Sequence, residues 1–313
     1  MQLPVPAVNI AGRWDRGGIS AFVSDAAVAH FLAAYREGMA QLPPFELFDV
    51  VTSFGVVRAH RFVGAGSGTP VVLLPGRNAS APMYRSNLDS LLARRTAYVL
   101  DLLGEPGLSV QHKPIRDAAD QAQWLDETLA GLGLARAHLL GVSIGGWTAI
   151  NTAVHHPARI ASLALLDPVF TFVRIPVRTL LVSTLLAVPA VPGGLRRRVL
   201  SWISGGADVD ADAGPEAALI AAGSTDFVVR LPIPRMPTDE QLRDLEVPVL
   251  ALIAGRSVML DPHAAVARAR RLLRHGEIEL WSEASHAING EYPDEIAERA
   301  GRFWDAADAS RRA

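Results

Sequence analysis

The chain has 313 residues, half of them hydrophobic, and a formal net charge of −2. A chain of this length and apolar content buries a sizeable core as one large α/β domain or two small ones. The absence of cysteine excludes disulfides and thiolate chemistry, and the nearly balanced charge gives no indication of a nucleic-acid partner.

Two segments can be compared with the patterns of a signal peptide and a membrane span: the N-terminal stretch and the most apolar later stretch. The opening stretch, MQLPVPAVNIAGRWDRGG, lacks the basic start and unbroken apolar core of a signal peptide. The most apolar later stretch, Thr179 to Val191, contains Pro189 and is about 13 residues long, short of the roughly 20 that span a bilayer. We therefore expect a cytoplasmic protein without a membrane span.

Strands and helices alternate along the first half of the chain. A helix capped by Ser24 is predicted from Asp25 to Met39, and two β-rich runs follow at Phe45–Val51 and Val56–Val63. The next predicted elements are strand Val71–Leu74, helix Pro82–Ala93, strand Ala97–Leu100, helix Ala118–Leu132, strand Ala137–Leu140, helix Ile144–Val154 and strand Ile160–Leu166. Such alternation indicates βαβ units and a mostly parallel sheet.

The alternation breaks between residues 168 and 245, where prolines and short helical patterns replace any obvious strand. It then resumes with strand Val249–Ala254, helix Pro262–Leu273, strand Ile278–Trp281 and helix Pro293–Trp304. We predict an N-terminal helical extension at 1–44, an α/β core at 45–167 and 246–313, and a helical insertion at 168–245.

The stretch LLGVSIGGWTA, residues 139 to 149, places Ser143 between Gly141 and Gly145 where a strand turns into a helix. A sharp turn of this kind exposes the hydroxyl at a helix N-terminus, and the small flanking residues relieve crowding there. The pattern G-x-S-x-G is that of a nucleophile elbow. Ser143 is therefore the candidate nucleophile, and the backbone N–H of Ile144 is a candidate donor to an oxyanion.

The chain resembles the α/β-hydrolase superfamily over about residues 45 to 308, and within it the lid-bearing bacterial esterases. Besides the elbow, the matching segments are PVVLLPGRNASAPMY at 70–84, LDLLGEPGLS at 100–109, LALLDP at 163–168, LALIAGRSVMLDP at 250–262 and SEASHAI at 282–288. The resemblance implies an eight-stranded, mostly parallel sheet with flanking helices. It also implies that the insertion at 168–245 is a helical lid.

The resemblance further implies a base and an oxyanion hole. The base is expected on the loop after the last strand, where His286 stands. The second oxyanion donor is expected after the third strand, where position makes it the backbone N–H of Arg77. Members of the family usually have His-Gly in this loop, whereas this chain has Pro75-Gly76.

Two aspartates compete for the acid that orients His286. Asp261 follows strand Val249–Ala254, on the loop where the family usually carries its acid, and it preserves the chain order nucleophile, acid, base. It also precedes Pro262, so it could serve only as a helix N-cap. The alternative is Asp167, directly after strand Ile160–Leu166, where some relatives place the acid. Asp261 is the preferred candidate.

These residues predict a serine hydrolase that cleaves an ester or a related acyl compound, with a small, apolar acyl substrate and no cofactor. The apolar segment 175–189 is expected to line an acyl pocket or to pack the lid on the core. The acidic stretch 208–216 departs from a calcium loop at its glycine and at its twelfth position, so no metal is expected. Alternatives are a thioesterase, lactonase or C–C hydrolase with the same triad, or a binding protein on the same fold.

Overall fold

The computed structural model describes residues 3–12, 17–184, 193–203 and 214–310. The strands are β1 (Ala21–Phe22), β2 (Glu46–Thr52), β3 (Gly55–Phe62), β4 (Val71–Leu74), β5 (Ala97–Leu100), β6 (Val110–Gln111), β7 (Ala137–Val142), β8 (Ile160–Leu166), β9 (Phe227–Val228), β10 (Val249–Ala254) and β11 (Gly276–Trp281). The helices are α1 (Asp25–Met39), α2 (Arg85–Leu92), α3 (Ala118–Gly131), α4 (Ile144–His155), α5 (Val177–Thr184), α6 (Gly193–Ile203), α7 (Pro215–Asp226), α8 (Asp239–Arg243), α9 (Pro262–Leu272), α10 (Ile288–Glu291) and α11 (Pro293–Ala309).

One large sheet organises the molecule, with strand order β11-β10-β8-β7-β4-β5-β3-β2 and β6 paired to β3. The strands from β11 to β5 in this order run parallel, whereas β3 is antiparallel to β5, β2 and β6. The mostly parallel sheet expected from the sequence is therefore present, and the two-residue β6 adds a ninth strand to the eight expected.

The central strands consist of apolar runs because helices cover both faces of the sheet. Every residue of β4, β5, β7, β8 and β10 is buried. Successive side chains of a strand point to opposite faces, so Val72 and Leu74 pack in the core that contains Trp124, whereas Val71 and Leu73 pack in the core that contains Trp304.

The N-terminal segment packs on the insertion between β8 and β10. Helix α1 starts where the Ser24 side chain accepts the Ala27 N–H, and the helix packs against α7. Phe22 of β1 pairs with Phe227 of β9 in a two-stranded antiparallel sheet. The N-terminal segment and part of the segment between β8 and β10 therefore pack against each other.

Several short elements were not predicted. Strands β1, β6 and β9 have two residues each, too few for a hydrophobic period to appear in the sequence. The predicted helix at 82–93 is a 3₁₀ turn, Ala81–Tyr84, followed by α2. The division into extension, core and lid remains our interpretation of this arrangement.

Candidate active site

Ser143 lies at the turn between β7 and α4 with φ of 54° and ψ of −114°. Glycines on both sides are required by close backbone contacts. A Cβ at Gly141 would lie 2.3 Å from the Gly145 carbonyl oxygen, and a Cβ at Gly145 would lie 2.1 Å from the Leu74 carbonyl oxygen. The G-x-S-x-G pattern therefore holds a strained serine at the N-terminus of a helix, where backbone N–H groups have no intrahelical acceptor.

His286 lies beside this serine, with its Nε2 atom 3.0 Å from Ser143 Oγ. Its loop between β11 and α10 is fixed by Glu291, whose carboxylate accepts the Ser285 N–H at 2.8 Å and the Ser285 hydroxyl at 2.6 Å. No motif in the sequence indicated the role of Glu291, which lies five residues after His286. The imidazole is mostly buried and is held within hydrogen-bond reach of the serine hydroxyl.

Asp167 lies on the other side of the imidazole, with its Oδ2 atom 2.6 Å from His286 Nδ1. The residue follows β8 directly and has a φ of 42°. Its fully buried carboxylate also accepts the Ala254 N–H at 3.1 Å and the Ser257 hydroxyl at 2.6 Å. These donors fix the carboxylate, and they compensate the burial of its charge.

Asp261 does not lie behind His286, so the preferred position of the acid is corrected. Its Oδ1 atom accepts the Ala264 N–H at 3.0 Å, and the exposed residue forms the N-cap of α9 before Pro262. The loop after β10 contributes Ser257 in place of an acid. The Ser257 hydroxyl donates to Asp167. The loop after β10 thus supplies a hydrogen-bond donor to the aspartate at the end of the neighbouring strand β8.

The loop after β4 runs beside the serine. A Cβ on Gly76 would lie 3.8 Å from Ser143 Cβ, and the Gly76 N–H donates to Met83 Sδ at 3.3 Å. In the described part of the chain, no acceptor takes the backbone N–H of Arg77 or of Ile144. Among the described residues, the two expected oxyanion donors therefore have backbone N–H groups without an acceptor, Arg77 on the loop after β4 and Ile144 at the start of α4.

A narrow, open cleft adjoins this loop. Its apolar wall includes Leu102, Trp124, Ile144, Trp147 and Leu231, and its polar wall includes Arg77, Glu105, Gln121 and Thr148. The Trp147 indole N–H donates to the Arg235 carbonyl at 2.8 Å, which holds the proline-rich segment after β9 over α4. The cleft lies beside Arg77 and Ile144, the two expected oxyanion donors.

The apolar segment at 175–189 is described only in part. Ile175 packs against the small cluster of Ile144, Trp147 and Val169, whereas residues 185–189 lie outside the described residues. The insertion residues that line the cleft come from 231–234 instead.

Helix α7 of the insertion covers the loop after β4. A Cβ on Gly223 would lie 2.5 Å from the Asn78 carbonyl oxygen and 3.2 Å from Pro106. At the start of the same helix, Glu216 accepts a hydrogen bond from Arg85 of α2. The contact at Gly223 joins the insertion directly to the residue that follows Arg77.

The described residues contain neither a metal cluster nor a helix that could span a membrane. Within the described ranges, no three His, Asp or Glu side chains come together as a metal site would require. Most of the acidic stretch at 208–216, residues 208–213, lies outside these ranges. None of the described helices has both the length and the apolar character needed to cross a bilayer.

Comparison with known proteins adds a family match and full-length relatives. Residues 71–299 match the family model described as the Alpha/beta hydrolase family. The uncharacterized carboxylesterase nap of Bacillus subtilis is 28% identical over 302 residues, covering 91% of this chain and 95% of that protein. Carboxylesterase YbfK of the same organism is 25% identical over 283 residues, covering 87% of this chain and 93% of the relative.

The fold matches a solved structure at similar length. The crystal structure of naproxen esterase (carboxylesterase NP) from Bacillus subtilis superposes with a TM-score of 0.82 at 26% identity, covering 90% of this chain and 99% of that one. The likeness extends over nearly the whole of both chains.

Proposed function

The chain belongs to the alpha/beta hydrolase family, and on that premise we propose that it is a serine hydrolase that cleaves small carboxylic esters through an acyl-enzyme on Ser143. The observation that carries the proposal is the continuous chain of contacts from Ser143 Oγ through both nitrogens of His286 to Asp167. The full-length similarity to two carboxylesterases supports an ester as the substrate.

In the acylation step, His286 Nε2 accepts the proton of Ser143 Oγ while Oγ attacks the carbonyl carbon of the ester. Asp167 holds the other ring nitrogen as its N–H form and stabilises the imidazolium that results. The tetrahedral oxyanion accepts hydrogen bonds from the backbone N–H groups of Arg77 and Ile144. Collapse of the intermediate breaks the carbon–oxygen bond to the alcohol, which leaves with the proton from His286.

In the deacylation step, His286 takes a proton from water and the hydroxide attacks the acyl carbonyl. A second tetrahedral intermediate collapses, and the proton on His286 returns to Ser143 Oγ as the carboxylic acid leaves. The apolar wall of the cleft, with Trp147 and Leu231, suits an apolar group of the ester.

A series of p-nitrophenyl esters with short, medium and long acyl chains, together with a fluorophosphonate probe, tests this function. We expect wild-type protein to hydrolyse at least one ester and to be labelled, and Ser143→Ala to lose labelling and about 10⁴- to 10⁶-fold in kcat. Ser53→Ala, a serine on the β2–β3 turn whose hydroxyl contacts Glu127, is the control that keeps both activities. Wild-type turnover by Ser143→Ala, with contamination excluded, would falsify the proposal.

A further inference from the structure

Glu105 has no part in the proton transfers, yet both of its carboxylate oxygens face the loop that carries Arg77. The residue follows Gly104, whose φ of 84° turns the chain after β5 back toward the site. Glu105 Oε2 accepts the Asn78 backbone N–H at 3.4 Å, and Oε1 lies 3.5 Å from Arg77 Nη1. One carboxylate therefore contacts two consecutive residues of the loop.

This carboxylate is buried, with 2% of the residue exposed. Burial raises the pKa of Glu105, and the Arg77 charge and the Asn78 N–H oppose that increase. Within the described residues, Oε1 has no hydrogen-bond donor, so the position is a costly one for a carboxyl group. If Glu105 served only to fill space, the protein would be less stable than one with an apolar side chain of the same size at this position.

The loop that Glu105 contacts has a backbone that needs support. Asn78 has a φ of 60°, in the left-handed region that side chains other than glycine disfavour. Gly76, on the other side of Arg77, lies against Ser143. The direction of the Arg77 backbone N–H thus depends on the two neighbouring residues. Gly76 lies beside Ser143, and Asn78 donates its N–H to Glu105.

We infer that Glu105 is a positioning residue, whose acceptor oxygen on the Asn78 N–H aims the Arg77 backbone N–H at the oxyanion. The inference rests on the proposed serine-hydrolase function and adds a residue outside the triad to it. The role requires a hydrogen-bond acceptor at the correct reach, and it does not require a negative charge. Length and charge of the side chain can therefore be tested separately.

Two variants make that separation. Glu105→Gln keeps the length and an acceptor oxygen but removes the charge, whereas Glu105→Asp keeps the charge and draws the oxygens back by one methylene. Because a small misplacement of an oxyanion donor lowers rates by roughly 10- to 100-fold, we expect Glu105→Asp to lose about 10-fold in kcat with KM nearly unchanged. Glu105→Gln is expected to keep at least about a third of the wild-type kcat.

Glu127→Asp is the matched control. Glu127 also accepts a loop N–H, that of Ser53 at 2.6 Å, but it does so at the turn between β2 and β3 at the far edge of the sheet. The same shortening there is expected to leave kcat unchanged. A trifluoromethyl ketone, which forms a tetrahedral adduct with a serine nucleophile, should bind Glu105→Asp more weakly by about the same factor as kcat falls.

Three outcomes would overturn the inference: a kcat for Glu105→Asp within about twofold of wild type, a lower kcat for Glu105→Gln than for Glu105→Asp, or a change in KM alone. Fluorophosphonate labelling of the wild type and its loss in Ser143→Ala are read first. If labelling is normal and the two Glu105 variants have the same kcat, only the positioning role fails. If the wild type is not labelled, the proposed function itself fails.

Discussion

His286 Nδ1 and Asp167 Oδ2 are 2.6 Å apart, although 119 positions separate the two residues in the chain. The contact brings together the ends of β8 and β11, which are not neighbours in the sheet because β10 lies between them. The loop after β10 permits it by contributing Ser257, whose hydroxyl also donates to Asp167 Oδ2. The proposed acid and the proposed base therefore meet across an intervening strand.

The first prediction concerns the orienting acid. Asp167→Asn is expected to lose on the order of 10² to 10⁴ in kcat, because the amide no longer stabilises the imidazolium or selects the productive tautomer of His286. Asp261→Asn is the matched substitution on α9. Asparagine caps a helix about as well as aspartate does, so this variant should keep its kcat and its melting temperature. Steady-state kinetics on one ester measures kcat for both variants, and thermal denaturation measures the melting temperature. The reverse ranking of the two kcat values would move the acid back to Asp261.

The second prediction concerns stability at acid pH and follows from His138 on β7. Its side chain is fully buried, with Nδ1 2.8 Å from Ser162 Oγ and Nε2 3.3 Å from Asp308 Oδ1 of α11. Burial, aided by the charge of Arg95, lowers the pKa of His138 to about 4. In an unfolded chain a histidine has a pKa of about 6.5.

At a pH between these two pKa values, His138 is protonated in the unfolded chain but neutral in the folded protein. The stability that neutral His138 contributes is therefore fully present above about pH 6.5 and falls as the pH drops toward 4, by at most about 1.4 kcal/mol per pH unit. Urea denaturation at several pH values should show a shallower decline for His138→Gln than for wild type. His112→Gln, at an exposed histidine after β6, should leave the slope unchanged. Equal slopes for His138→Gln and wild type would contradict the assignment.

The third prediction concerns the contact between α7 and the loop after β4. A Cβ in Gly223→Ala would meet the Asn78 carbonyl oxygen and Pro106, so α7 must shift at a cost of about 1–3 kcal/mol. The melting temperature and kcat should both fall, since Asn78 follows Arg77. The matched change Gly194→Ala on α6 meets no atom within 4 Å, and alanine favours a helix over glycine, so its melting temperature should not fall. An unchanged melting temperature in Gly223→Ala would argue against the contact.

The sequence predicts the core strands well because burial on both faces leaves them continuously apolar. Strands β4, β5, β8 and β10 have the predicted bounds, and the family match confirms the expected α/β-hydrolase fold. By contrast, β1 and β9 depend on each other across about two hundred positions, and no local pattern encodes such a pair.

The candidate site likewise has parts that the sequence predicts and parts that it does not. The elbow around Ser143 is a local motif, and its two glycines make it visible in the sequence. The choice between Asp167 and Asp261 depends on which carboxylate points at His286, and that direction is set by the φ of Asp167 and by the hydroxyl of Ser257. The contact of Glu105 with Asn78 joins two loops, so neither segment alone indicates it.

The pairing of the N-terminal segment with the insertion has a consequence for how the chain is made. His30 Nδ1 lies 2.6 Å from Asp226 Oδ2, a contact that spans 196 positions, and the Phe22 ring packs edge-on to Phe227 at 4.9 Å between ring centroids. On the ribosome, helix α1 emerges long before α7 and β9, so the part of its surface that packs on them stays uncovered until they are synthesised. Contacts of such long range slow folding and leave apolar surface open to chaperones or to aggregation in the interval. Helix α1 therefore completes its packing only after residues 215–228 have been synthesised.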